Sequence, residues 1–332
     1  MVQQTGAIPN AVQEISTAQT KKEVEINNPL LCNPEDGICE IPAQKKDAAY
    51  NNNIKSAEKP IKIVYYTDPI CSSCWGIEPQ LRKLKLEYGE SIEIEYRMGG
   101  LLPDWSYNSG GISKPADVAH HWDEVSVFYD MPIDGDVWLE DPLPSSYPPS
   151  VAFNAAQLQD KEKAIRFLRE IREMVFLRKK NITKWEHLER AARNVGLDIP
   201  QLKKDYEGKA RELFNEDLKL GRELGVRGFP TMFFTGTTGK MEIVYGSKPY
   251  RFYENALLKL QPTVVKKQYD KNWSSLFSEY HSLTAKEFAE LTGTARNESD
   301  SVLDELTAKG KLDKLTTKNG AIWIFSQGMK SL

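Results

Sequence analysis

Ile61-Lys62-Ile63-Val64-Tyr65-Tyr66-Thr67-Asp68-Pro69-Ile70-Cys71-Ser72-Ser73-Cys74-Trp75 is the stretch on which the reading of this chain turns. β-Branched and aromatic residues fill 61–67, which predicts a strand. A short turn follows, and Gly76-Ile77-Glu78-Pro79-Gln80-Leu81-Arg82-Lys83-Leu84 carries helical spacing, so a helix is expected over 71–88. Cys71 then stands in its first turn, where unpaired N–H groups and the helix dipole favour an anion. The thiolate is the reactive form of cysteine, and such a position lowers its pKa. Cys71 is therefore expected to be the accessible nucleophile. Cys74, one turn on and expected to be buried, would resolve a mixed disulfide formed at Cys71. Two other readings compete: a buried structural pair, and half of a zinc site.

Far downstream, Gly225-Val226-Arg227-Gly228-Phe229-Pro230-Thr231 precedes a second strand-like run, Met232-Phe233-Phe234. Proline enters a strand only at its start or edge, and X-Pro is the one bond whose cis form is cheap. The phrase resembles the cis-proline loop that faces Cys-x-x-Cys in thioredoxin-fold proteins. A strand before and a helix after the cysteines is also the thioredoxin context, which weighs against zinc.

At 332 residues the chain accommodates two domains plus tails. A net charge of −3 gives no general attraction to nucleic acid or to an anionic membrane. No apolar run reaches the length of a membrane span. The start, Met1-Val2-Gln3-Gln4-Thr5-Gly6, lacks the pattern of a secretory signal, so a cytoplasmic protein is expected. Four cysteines are too few for a disulfide scaffold, and in a reducing compartment close pairs point to redox or metal roles.

Residues 1–58 are rich in Gln, Asn, Lys, Glu and Pro without periodicity, and read as a largely disordered leader. Within it, Cys32 and Cys39 flank Asn33-Pro34-Glu35-Asp36-Gly37, which is turn chemistry that brings two thiols near each other. Three readings stay open for this pair: an accessory redox pair, a metal site completed elsewhere, or inert cysteines in a docking peptide. The adjacent His120 and His121 read as helix-surface or loop residues, and no metal site is assigned to them.

An α/β core is expected over 59–265. Strand 61–67, helix 71–88 and strand 91–98 form one βαβ unit, and strands 231–236 and 241–246 with a helix near 250–260 form the other half. Between them, about 105–224 reads as helical. Lys161 to Lys180 carries one apolar face. Thr183 and Glu186 pattern as a capping box for a helix running to Val195, and Asp198-Pro200 opens a helix reaching Leu224. The tail, 270–332, reads as three helices and a hairpin, a winged-helix-like order. Helix 273–280, a helix opened by the capping box Thr284–Glu287, and one capped by Asn297 precede a hairpin turning at Asn319-Gly320. Over 281–332 seven Lys and Arg meet seven Asp and Glu, so DNA binding is not expected.

Asp68-Pro69-Ile70-Cys71 through Trp75-Gly76-Ile77-Glu78-Pro79, then Leu84 to Gly89 and Arg97-Met98-Gly99-Gly100-Leu101-Leu102, resemble the DsbA superfamily. Within it they are similar to FrnE-like dithiol oxidoreductases, and also to the thioredoxin-like adaptors that deliver the regulator Spx to the ClpXP protease. The likeness covers about 60–260. It implies a thioredoxin fold with a DsbA-type helical insertion, and a thiol–disulfide site at Cys71 and Cys74. Pro230 would be cis, would shape the groove and would keep an N–H away from the sulfurs, while Trp75, Phe229 and Thr231 would bind substrate, Phe229 by pairing its backbone with an extended substrate strand. Ser72-Ser73 between the cysteines lacks the histidine of strongly oxidising members, which leaves the direction of electron flow open.

The expected function is thus protein dithiol–disulfide exchange, acting on protein thiols and disulfides or on glutathione, with no cofactor. Asp68 and Glu78 read first as solvated or helix-N-terminal carboxylates, and second as proton-transfer groups. A rival from another class is a binding adaptor that presents a client protein to protease machinery. A glutathione-dependent isomerase or transferase is a third reading; it needs one nucleophile only, so the intact pair argues against it.

Overall fold

In the computed structural model, the described residues are 59–106 and 114–326, together with the backbone of 32–33 and 38–40. Two short leader strands come first, β1 (Cys32–Asn33) and β2 (Ile38–Glu40). The rest of the leader, including the proposed turn, lies outside the described residues. Strand β3 (Ile61–Thr67) follows, then α1 (Ser72–Gly76), α2 (Glu78–Tyr88) and β4 (Ile92–Met98). The single helix expected over 71–88 is two. Pro79 occupies the first turn of α2, where its missing N–H is tolerated, and the chain resets at Ile77 just before it.

β4 leads into seven helices: α3 (Pro115–Tyr129), α4 (Val137–Glu140), α5 (Tyr147–Gln159), α6 (Lys161–Leu177), α7 (Trp185–Asn194), α8 (Ile199–Glu207) and α9 (Lys209–Glu223). Asp160 caps α6, accepting from Glu162 N and Lys163 N. The expected box at Thr183 and Glu186 is not formed. The Thr183 hydroxyl donates instead to Asn181 Oδ1 at 2.6 Å, and Lys184 precedes the first residue of α7. Asp198 caps α8 as expected, but Gly208 leaves helical geometry (φ −120°, ψ −111°) and splits the long helix in two.

Strands β5 (Gly228–Phe229), β6 (Thr231–Gly236) and β7 (Met241–Tyr245) and helix α10 (Tyr250–Leu260) complete the core. The sheet runs β4-β3-β6-β7, with β3 parallel to β4 and antiparallel to β6. This is a mixed α/β thioredoxin-like arrangement. Its inner residues, Ile61, Ile63, Tyr65, Met232 and Phe234, are fully buried. Asp217 of α9 ties the insertion to the sheet: it accepts from Met98 N, Arg97 Nη1 and Asn154 Nδ2, and its backbone carbonyl accepts from the Tyr66 hydroxyl.

The tail forms α11 (Trp273–Tyr280), β8 (Ser282–Thr284), α12 (Ala285–Thr292), α13 (Arg296–Ala308), β9 (Leu312–Thr317) and β10 (Gly320–Phe325). The box at Thr284 and Glu287 is formed in both directions. The third helix starts at Arg296, one residue before its expected cap at Asn297. The hairpin gains an unforeseen third strand, giving the order β8-β10-β9. Leu276, Phe277, Phe288, Leu291, Leu303 and Trp323 make a core of the tail's own. None of the helices among the described residues is long and apolar enough to cross a membrane.

Candidate functional site

Cys71 is the N-cap of α1, with extended backbone (φ −77°, ψ 110°), and Cys74 lies in the turn that follows. The Cys74 N–H donates to Cys71 Sγ at 3.2 Å, so the backbone offers the outer sulfur a donor of the kind a thiolate accepts. Accessibility differs from the expectation. Both cysteines are fully buried, and burial pushes the Cys71 thiol above its usual value, helped by a hydrogen bond toward Cys74. Burial also disfavours a Cys74 thiolate. It is outweighed there by the Cys71 hydrogen bond, the Arg172 charge, Thr67 and the Asp68 backbone, which together hold Cys74 low. A helix-terminal position cannot lower a pKa that desolvation raises further.

Residues of the helical insertion enclose the pair. Tyr129 of α3 shares a 2.6 Å hydrogen bond with the Ser73 hydroxyl, and its ring lies so close to Gly76 that a Cβ there would sit 2.6 Å from it. Arg172 of α6 is fully buried behind the cysteines. It donates to Glu78 Oε1 at 2.6 Å, to Thr67 Oγ1 at 2.5 Å and to the Asp68 carbonyl at 3.2 Å. Glu78 is therefore a helix-N-terminal carboxylate, as expected for the first residue of α2, but one paired with a buried arginine and not solvated. Asp68 is not solvated either: it is fully buried and accepts from Ile70 N, Leu101 N and the Ser146 hydroxyl at 2.8–3.0 Å. Burial raises its carboxyl to about 6 against those hydrogen bonds.

Register places the proline loop at the same end of the sheet. Tyr66 is opposite Thr231, so Pro230 stands level with the chain leaving β3 toward Cys71. The Phe229–Pro230 bond is cis. The side chains of the three residues expected to bind substrate are all buried. The Trp75 ring is fully buried, stacked on Phe176 at 5.5 Å, and its indole N–H donates to the Pro132 carbonyl, so it anchors α1 in the core. The Phe229 side chain is buried against Gly99. Thr231 is buried, with its hydroxyl donating to the Gly228 carbonyl at 2.7 Å.

What Phe229 offers is backbone, and it is already engaged. Leader strand β2 pairs antiparallel with β5, with Cys39 opposite Phe229 and Glu40 opposite Gly228. On its other edge β2 pairs with β1, with Cys32 opposite Cys39. No group of three or more His, Cys, Asp or Glu suited to a metal ion occurs among the described residues. His121 is buried and His120 is on the surface, so the expectation of two surface residues holds for His120 alone.

A signal for Arg172 was present in the sequence. It falls four residues after Leu168 and three before Val175, an arginine on the apolar stripe of its helix. Tyr129 had no comparable local signal.

A family model described as Thioredoxin matches residues 65–255. The chain is 34% identical to the ClpXP adapter protein SpxH of Halalkalibacterium halodurans over 302 residues, covering 89% of this chain and 97% of that protein. It is 30% identical to the ClpXP adapter protein SpxH of Bacillus subtilis, over 80% of this chain and 89% of that one. Among solved structures, a candidate protein disulfide isomerase from Nitrosomonas europaea superposes with a TM-score of 0.52 at 22% identity. That match covers 62% of this chain and 97% of the other, and shows the shared fold. The chain belongs to the thioredoxin-like family that includes the SpxH proteins.

Proposed function

We propose that this protein is an adaptor of the SpxH kind, which holds a client protein and delivers it to a ClpXP protease in the cytoplasm. Its Cys71–Cys74 dithiol is then a gated redox centre and not a site of continuous turnover. Occlusion of the thiols carries the reading: both sulfurs are buried, and a polypeptide strand already lies on the backbone of Phe229. An efficient oxidoreductase must admit a disulfide to its nucleophile. The extent of similarity agrees, because a 302-residue match exceeds what 59–265 contains and takes in flanking parts that thiol exchange alone does not require.

On this account the chain has three parts: the leader, 59–265 as the thioredoxin-like body with its DsbA-type insertion, and a winged-helix-like unit from 270 that docks protein. The balanced charge of 281–332 favours a protein partner over duplex DNA. Equilibrium binding of the purified chain to Spx and to ClpX tests the proposal. Saturable binding to both, retained in Cys71→Ser/Cys74→Ser, is expected; binding to neither would refute it.

A second reading, dithiol–disulfide exchange with protein thiols or glutathione, is favoured by the Cys74 N–H aimed at Cys71 Sγ and by the Arg172 charge behind the pair. Insulin reduction by wild type beside Cys71→Ser measures it. A rate equal in the two proteins would remove this reading.

A further inference from the structure

We propose that strand β2 is a built-in occupant of the position a client strand would take at the proline loop, and that Cys32 and Cys39 are a second redox pair that exchanges with Cys71 through Cys39. The proposal rests on the reading of Cys71–Cys74 as an exchange-competent dithiol.

Three placements carry it. Cys39 is the register partner of Phe229, the residue immediately before Pro230. Adding a strand to an exposed backbone edge is a general mode of peptide recognition, with main-chain hydrogen bonds supplying the affinity. β2 also lies beside α1, the helix that Cys71 caps and that contains Cys74. Finally, Cys32 and Cys39 are direct partners in an antiparallel pair. Such partners have Cα atoms about 4.5–5.5 Å apart, inside the range of about 4.4–6.8 Å that disulfides span. About 30 residues separate Cys39 from Cys71 in sequence, and the entropy of closing that loop grows only with the logarithm of its length. The register thus brings the backbone of Cys39 to the residue before Pro230 with no second molecule.

The exchange is self-contained. The Cys71 thiolate attacks Cys39 Sγ of a Cys32–Cys39 disulfide, forming the Cys71–Cys39 bond while Cys32 leaves as a thiolate and takes up a proton. The Cys74 thiolate then attacks Cys71 Sγ, and Cys39 leaves as a thiolate in turn. The leader disulfide is reduced by two electrons and the Cys71–Cys74 dithiol is oxidised by the same two. The leader disulfide itself is the oxidant. Run in reverse, the same steps pass an oxidised Cys71–Cys74 pair back to the leader.

The test uses the full chain carrying Cys74→Ser, treated with oxidised glutathione and mapped by mass spectrometry without reduction. The serine removes the resolving thiol, so the chain is expected to accumulate a Cys39–Cys71 linkage, absent when Cys39→Ser is added. A Cys32–Cys71 linkage in its place would overturn the assigned register. Glutathione on Cys71 with no leader linkage would overturn the inference and leave the exchange reading standing. Cys71 linked to neither would overturn both.

Discussion

Arg169 of α6 donates two hydrogen bonds to Glu287 of α12, at 2.8 and 3.0 Å, joining the helical insertion to the C-terminal unit through an ion pair whose carboxylate is fully buried. The same guanidinium lies 4.3 Å over the ring of Trp75, the residue after Cys74. Arg82 also meets Glu287 at 3.2 Å and donates to the Ser282 carbonyl at 2.8 Å. The cap of a tail helix is therefore part of the charge cluster packed against the redox helix.

Glu287→Ala removes the carboxylate that neutralises Arg169 and Arg82 and half of the box with Thr284. Breaking a buried pair from one side costs about 3–5 kcal/mol. The urea midpoint should fall accordingly with the slope unchanged. An unchanged midpoint would show that this cluster does not hold the tail in place.

Gly99→Ala should disturb the proline loop from behind. A Cβ at position 99 would stand 1.8 Å from Phe229 Cζ, in a core where the ring has no exposed side to retreat to. Overpacking of this kind costs about 1–3 kcal/mol. Adding Phe229→Leu should recover part of the loss. Additive effects of the two substitutions in thermal unfolding would count against the contact.

Asp68 predicts a pH signature of definite sign. Burial raises its carboxyl from 3.8 to about 6, so the folded chain binds that proton more tightly than the unfolded chain. Its contribution to stability is complete below about pH 3.8 and is lost as pH rises through about 6, a swing of about 3 kcal/mol at 1.36 kcal/mol per unit. His121, pushed down to about 4 by burial, acts in the opposite sense over much of the same window. The informative quantity is therefore the stability difference between wild type and Asp68→Asn. It should change across pH 4–6, and a difference independent of pH would contradict the burial argument.

Alkylation separates the two cysteines. In the full chain both should react slowly with iodoacetamide at pH 7, since both are buried. Deleting 1–58 removes β2 from the proline loop, and Cys71, at the end of its helix, should then react at least tenfold faster while Cys74 stays slow. Quantified peptide labelling gives both rates. An unchanged Cys71 rate would show that the leader does not gate the thiol.

Much of this architecture was legible because local chemistry and tertiary environment agree. The run 61–67 is β-prone and buried, and Thr284 with Glu287 caps a helix that packs on its apolar side. Misreadings arose where long-range contacts decide. Trp75 and Phe229 are aromatic residues beside a motif, which in sequence resemble a binding surface; the helical insertion and Gly99 turn both inward. Asp68 reads in sequence as a solvated or helix-N-terminal carboxylate, and only the folded chain brings Leu101 N and Ser146 to it. Ser282–Thr284 is too short to announce a strand, and it exists because β10 pairs with it.

Client degradation tests the central claim most directly. Purified ClpXP is given Spx as substrate, with and without this protein, and the rate of substrate loss is measured for wild type and for Cys71→Ser/Cys74→Ser. Delivery by binding requires a rate at least tenfold higher when either form is present, with wild-type acceleration changing between reduced and oxidised protein and the variant insensitive to redox state. No acceleration by either form, alongside rapid insulin reduction by wild type, would contradict the adaptor account and leave thiol–disulfide exchange as the activity.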